Sequence, residues 1–155
     1  MGYTHYWRIF QEEIPESEWI DFANDFVKIL PQFMDKLDHE TDQKFHVDGN
    51  HIIFNGIGEQ SHETFYIERK NKLESHGSPN FFGFCKTARK EYDIAVCCAL
   101  IICKKHFADI FEVSSDGEDS DGWDKAKELC QKVLKYGNTF DISSSLEKEN
   151  GGVFK

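Results

Sequence analysis

Ten consecutive apolar residues, Ile94 to Cys103 (IAVCCALIIC), constrain this chain more than any other segment. As a helix the run makes roughly three turns and offers no polar face to water, so it has to be packed on most of its sides. The remaining chain must supply that cover. At 155 residues, 14 of them phenylalanine, it has the length and the large aromatic surfaces to do so within one domain.

Cations crowd the start of the run. Lys86, Arg89 and Lys90 fall within five residues of a chain whose net charge is -10. The pattern predicts a helix over about Thr87 to His106, which places these cations in its first turn, beside unpaired backbone N–H groups. Mutual repulsion and the positive helix end make that arrangement costly unless an anion, or Glu91 and Asp93, offsets it. A bound anion and a structural ion-pair network both fit the pattern. A third reading is that the cations only keep the ends of an apolar helix in water.

Around this centre the sequence predicts alternating elements. Tyr3 to Phe10 reads as a strand whose core side carries Trp7 and Ile9, and therefore also His5. Trp19, Phe22, Phe26, Ile29, Leu30, Phe33 and Leu37 recur at helical spacing after Pro15, with Pro31 expected to kink or split the helix. Lys44–Val47 and Asn50–Phe54 flank Asp48–Gly49, a two-residue hairpin signal, and His62–Arg69 follows as a further strand. Lys70–Phe82 reads as an exposed loop. Ile110–Ser114 reads as a short strand and Trp123–Tyr136 as a last helix, capped by Asp121 and stopped by Gly137. The expected fold is α+β, a mainly antiparallel sheet covered by helices, as a ferredoxin-like split βαβ with an added hairpin and C-terminal helix. One domain is expected over residues 1–137, with a flexible Ser, Gly and Glu-rich tail at 138–155.

Composition excludes several classes. No apolar run reaches the roughly 18 residues of a membrane span, and the N-terminal MGYTHYW lacks the basic and apolar regions of a signal peptide. Five cysteines, with no CxxC pair, are buried-hydrophobe usage in a reducing compartment rather than a disulfide framework or zinc knuckle. A cytoplasmic protein without cofactor or metal is expected. The acidic balance argues against general nucleic-acid binding.

YTHYW at Tyr3–Trp7, FNG at Phe54–Gly56, SHETF at Ser61–Phe65, FCKTARKEYD at Phe84–Asp93 and SSDG at Ser114–Gly117 form one set. Together they resemble a family of small uncharacterised proteins of tailed-phage genomes and related mobile elements, whose signature is a Cys-Lys-Thr-Ala-Arg-Lys-Pro-Tyr-Asp string. This chain carries Glu91 where that string has Pro. The resemblance spans about Tyr3–Tyr136 and implies a shared fold and site, with no established activity.

The same residues suggest a chemistry. Lys86, Thr87, Arg89, Lys90 and Ser115 form the candidate ligand-binding set, and His5, His62, Glu63, Asp93 and Asp116 the candidate catalytic set. Arg89 suits a planar two-point contact with phosphate, and Lys86 acts as a point charge. His5 or His62 would move a proton, oriented by Asp93 or Asp116. Against this, a histidine beside Trp7 fits a hydrogen-bonded core residue, and Asp93, one turn after Arg89, fits a helical ion pair. His62 with Thr64 is half of a two-histidine phosphoesterase pattern, whose second copy His5-Tyr6-Trp7 does not supply. Asp119, Asp121, Gly122 and Glu128 fit an EF-hand loop that would start at Gly117, where a carboxylate is needed. His46 and His51 would face each other across a tight turn, giving two metal ligands without a third.

Two functions follow as expectations. One is recognition, and in its fuller form hydrolysis, of a nucleotide-like or other phosphorylated anion at the cation-rich helix start. The other is an acidic interaction protein that occupies the basic site of a host nucleic-acid-binding protein. Its charge would come from Glu12, Glu13, Glu16, Glu18, Asp21 and Asp25, together with the acids of Glu112–Asp124.

Overall fold

The apolar run lies inside a helix, α2 (Asp93–Phe107), in which every residue from Ala95 to Lys104 is buried. The computed structural model describes residues 3–71, 81–117 and 122–142. Before α2 come β1 (Thr4–Ile9), α1 (Glu16–Ile29), β2 (His46–Val47), β3 (His51–Phe54), β4 (Phe65–Glu68) and β5 (Phe81–Lys86); after it come β6 (Phe111–Ser115) and α3 (Asp124–Leu134). Helices α1 and α3 flank α2, and β6 packs beneath it. The charged end of α2 is also accommodated: Lys104 Nζ donates to the carbonyls of Ala108 at 2.8 Å and Phe111 at 2.5 Å.

The fold is α+β with antiparallel pairing throughout. One sheet has the order β5-β1-β6, the other β2-β3-β4. Because β5 and β6 are each antiparallel to β1 between them, they run parallel to each other, and β5-α2-β6 is a split βαβ unit. The expected single sheet is divided between β4 and β5. Those strands are tied at one end, where Glu63 N–H donates to Lys86 O at 3.1 Å and Lys86 N–H to Glu63 Oε1 at 2.9 Å. Beyond that tie they separate around a cleft of about 340 Å³ lined by Trp7, Tyr66, Phe82 and Phe84. The Trp7 indole sits over Gly83 and meets the Phe65 ring at 5.2 Å, so a bulky ring lies at the gap.

Several local expectations change. Strand β5 replaces the end of the expected loop. Helix α2 begins at Asp93, not Thr87, because Ala88 (φ 53°) and Arg89 (φ 60°) are left-handed and cannot start a right-handed helix. The cation-rich helix start is therefore absent: Lys86 ends β5, Arg89 and Lys90 lie in the connecting turn, and the first helical turn carries Asp93. The hairpin forms with register His46↔Ile53 and Val47↔Ile52, leaving residues 48–51 in a longer turn than expected. Asp48 causes this by accepting the N–H groups of Asn50 at 2.8 Å and His51 at 2.7 Å. His46 faces Ile53 instead of His51, which removes the facing-imidazole metal pair.

Other expectations hold. Helix α1 stops at Ile29, and Pro31 sits in the first of two 3-10 turns, Leu30–Gln32 and Met34–Lys36. Among the described residues no helix is long and apolar enough to cross a membrane. The expected tail boundary at 138 does not hold: Phe140 and Ile142 are 8% and 5% exposed, and the Phe140 ring stacks on Trp123 at 5.2 Å, so the packed fold continues past 137. The Asp121 cap and the EF-hand positions Asp119 and Asp121 lie outside the described residues, as does the tail from 143.

Candidate functional site

Alternation along β1 turns His5 inward with Trp7 and Ile9, and strand register sets it opposite Cys85 on one side and Ser115 on the other. Its imidazole is fully buried. Nε2 lies 2.7 Å from Asp93 Oδ1, and Nδ1 lies 2.8 Å from Ser115 Oγ. Thr87 Oγ1 donates to the same Asp93 oxygen at 2.5 Å. Four elements thus meet here: β1, the turn after β5, the start of α2 and the end of β6. Edge-on rings of Tyr3 and Trp123, each 5.0 Å from the imidazole by centroid, close it off from water.

The hydrogen bonds define a direction. Ser115 Oγ accepts Gly117 N–H at 3.0 Å and Trp123 Nε1–H at 3.4 Å, so its own hydrogen points to His5 Nδ1. His5 then carries its proton on Nε2 and donates it to Asp93. The result is a serine–histidine–aspartate relay, with Ser115 at its half-buried end. Its two nitrogens are used in the opposite sense from the familiar hydrolase triad, in which the serine meets Nε2.

One cation is placed directly above the relay. Arg89 is exposed and its guanidinium stacks 4.0 Å over the Tyr3 ring, which in turn packs on His5. A side chain at position 117 would collide with the Tyr3 hydroxyl, so Gly117 keeps that ring in place. Lys86 is exposed at the end of β5 and Lys90 is half-buried in the turn. The structure joins His5, Asp93, Thr87 and Ser115 by hydrogen bonds and sets Arg89 over Tyr3, while Lys86 pairs with Thr4, on the other face of the sheet from His5.

No family model, curated protein or solved structure matches this chain. Its chemistry has to be read from the site.

The remaining candidates have different work. His62 is exposed and donates through Nδ1 to Lys86 O at 2.7 Å. Glu63 binds the Lys86 backbone, while its carbonyl accepts the Tyr92 hydroxyl at 2.5 Å. The two residues clasp one sheet to the other and make no contact with His5. Asp116 lies on the outer face of β1, accepting Thr4 N–H at 3.2 Å and the Tyr6 hydroxyl at 3.0 Å. Orientation of His5 therefore falls to Asp93, not Asp116, and the expected Arg89–Asp93 helical pair gives way to Asp93–His5.

Cys97 belongs to the site although its sequence context reads only as hydrophobic. Its Sγ is 3.5 Å from His5 Nε2 and 3.6 Å from Asp93 Oδ2. Burial, reinforced by the Asp93 charge, pushes its thiol well above the ordinary cysteine range. The available signal was spacing: Asp93 and Cys97 are i,i+4 and share a helix face. His5, Asp93 and Cys97 are the described residues whose donor atoms, within 4.8 Å of one another, could hold a metal ion.

Proposed function

We propose that the protein recognises a phosphorylated, nucleotide-like anion at the end of β5 and the turn that follows, which carry Lys86, Arg89 and Lys90, and that hydrolysis of the bound ester is the reaction the buried relay serves. The observation that carries this reading is the Ser115–His5–Asp93 chain, with bonds of 2.8 and 2.7 Å, lying one aromatic ring below an exposed arginine. The roles follow from the chemistry of each group. Arg89 and Lys86 offer a forked and a point-like cation for phosphate. Ser115 is the end of the relay nearest solvent, His5 accepts its proton at Nδ1, and Asp93 keeps the opposite nitrogen protonated and stabilises the imidazolium that forms. Five free, buried cysteines favour a reducing compartment, the cytoplasm.

Thermal unfolding of the wild type and of Lys86→Ala/Arg89→Ala across nucleotides, cyclic nucleotides and sulfate tests recognition, because a ligand preferring the native state raises its stability. Selective stabilisation by a phosphorylated compound, lost in the double variant, is expected. Phosphate release by the wild type but not by Ser115→Ala tests the hydrolytic half. Stabilisation by none of these anions overturns the reading and leaves the acidic surface, offered to a basic host protein, as the proposal to pursue.

A further inference from the structure

The buried core of the site has donors that the anion reading does not use. Cys97 Sγ, His5 Nε2 and the Asp93 carboxylate face one another inside the protein. From these contacts we infer that His5, Asp93 and Cys97 form a binding site for a divalent transition ion of the zinc or cobalt class.

Three observations carry the inference. The first is geometric. With Zn–S of about 2.3 Å and Zn–N or Zn–O of about 2.0–2.2 Å, tetrahedral bonding places sulfur about 3.6 Å from a nitrogen or oxygen ligand. The structure has Cys97 Sγ at 3.5 Å from His5 Nε2 and at 3.6 Å from Asp93 Oδ2. Asp93 meets the two partners through different oxygens, Oδ2 toward Cys97 and Oδ1 in a 2.7 Å hydrogen bond with His5 Nε2; one ligand atom from each residue nonetheless lies within 4.8 Å of the others, and replacing the His5 proton by an ion sets the nitrogen and its carboxylate ligand about 3.4 Å apart.

The second is the outer shell. A metal-bound imidazole commonly donates its other N–H to a fixed acceptor, and a ligating carboxylate is itself hydrogen-bonded. Both partners are present: Ser115 Oγ stands at His5 Nδ1, and Thr87 Oγ1 donates to Asp93. On loading, the histidine proton moves from Nε2 to Nδ1 and is donated to Ser115. The 3.4 Å Trp123 contact, the weakest at that oxygen, gives way. The proton relay and the metal centre are thus two states of one imidazole, and the second does not depend on the anion reading.

The third is charge. Ion entry releases one proton, from the Cys97 thiol; the dipositive ion then meets one thiolate, one carboxylate and a neutral imidazole. The centre is neutral overall, as a site with a fully buried His5 and Cys97 requires. Three protein donors leave the fourth tetrahedral position to a single water or small ligand that enters with the ion.

Cobalt(II) titration of the chelator-treated full chain, under reducing conditions, tests this. One equivalent should produce a thiolate-to-cobalt charge-transfer band in the near ultraviolet, displaced by zinc, lost in Cys97→Ser and retained in Cys98→Ser. X-ray absorption of the wild-type zinc-loaded protein should find one sulfur neighbour and otherwise nitrogen or oxygen, a result that needs no variant to fold. Absence of the band in the wild type, its retention in Cys97→Ser, or a zinc shell with no sulfur or with several sulfurs overturns the site. Loss of anion-induced stabilisation with the cobalt band intact would instead overturn the anion reading alone.

Discussion

A buried histidine is tolerable only when both nitrogens are satisfied, and His5 meets that condition through Ser115 and Asp93. The sequence made its inward direction legible, since it alternates with Trp7 and Ile9. Its partners were harder to identify: Asp93 and Asp116 were equal candidates on spacing alone, and only the sheet faces separate them. Asp48 shows the same local chemistry at the surface. Burial alone would raise its carboxyl, yet the N–H groups of Asn50 and His51 and the His46 imidazole hold it down to about 2. A depressed carboxylate stabilises the fold above its ordinary value of 3.8, and that stability is lost as pH falls towards the folded value. With Asp48 at 40% exposure, the contribution after screening is on the order of 1 kcal/mol. Urea unfolding should show the wild type ahead of Asp48→Asn at neutral pH, with the gap closing between about pH 4 and about pH 2.

At the scale of elements, α1 and α2 announce themselves through periodicity and apolar length, whereas β5 does not. Its sequence, FFGFCK, contains a glycine that reads as a loop signal. In the sheet Gly83 lies opposite Trp7, and a Cβ there would press into the indole. The glycine makes room for a tryptophan from another strand, a reason that local sequence cannot express. Gly83→Ala should destabilise the protein by about 2 kcal/mol and alter tryptophan fluorescence. A denaturant midpoint and emission spectrum equal to the wild type would contradict that packing. The start of α2 misleads for a related reason: Thr87–Lys90 has ordinary helical composition, but tertiary bonds hold it as a turn. Thr87 N–H donates to Tyr3 O at 3.1 Å and its hydroxyl to Asp93.

Over the whole molecule, the polar composition after Gly137 suggests a tail, yet Phe140 stacks on Trp123, which itself borders His5. Phe140→Ala should therefore cost about 3 kcal/mol, read as a lower denaturant midpoint, where a true tail residue would cost nothing measurable. Sequence alone determined the α+β class, the central buried helix, the split of the helix at Pro31 and the inward turn of His5. These depend on periodicity, chain length and the covalent properties of proline, all of which act over a few neighbouring residues. Tertiary structure decided that the sheet divides, that the cations lie on a turn and not on a helix end, and that Cys97 joins His5 and Asp93. Each of those depends on contacts across the chain, His5 with Asp93 and Cys97, Trp7 with Gly83, Thr87 with Tyr3, whose energies appear only when distant segments pack together.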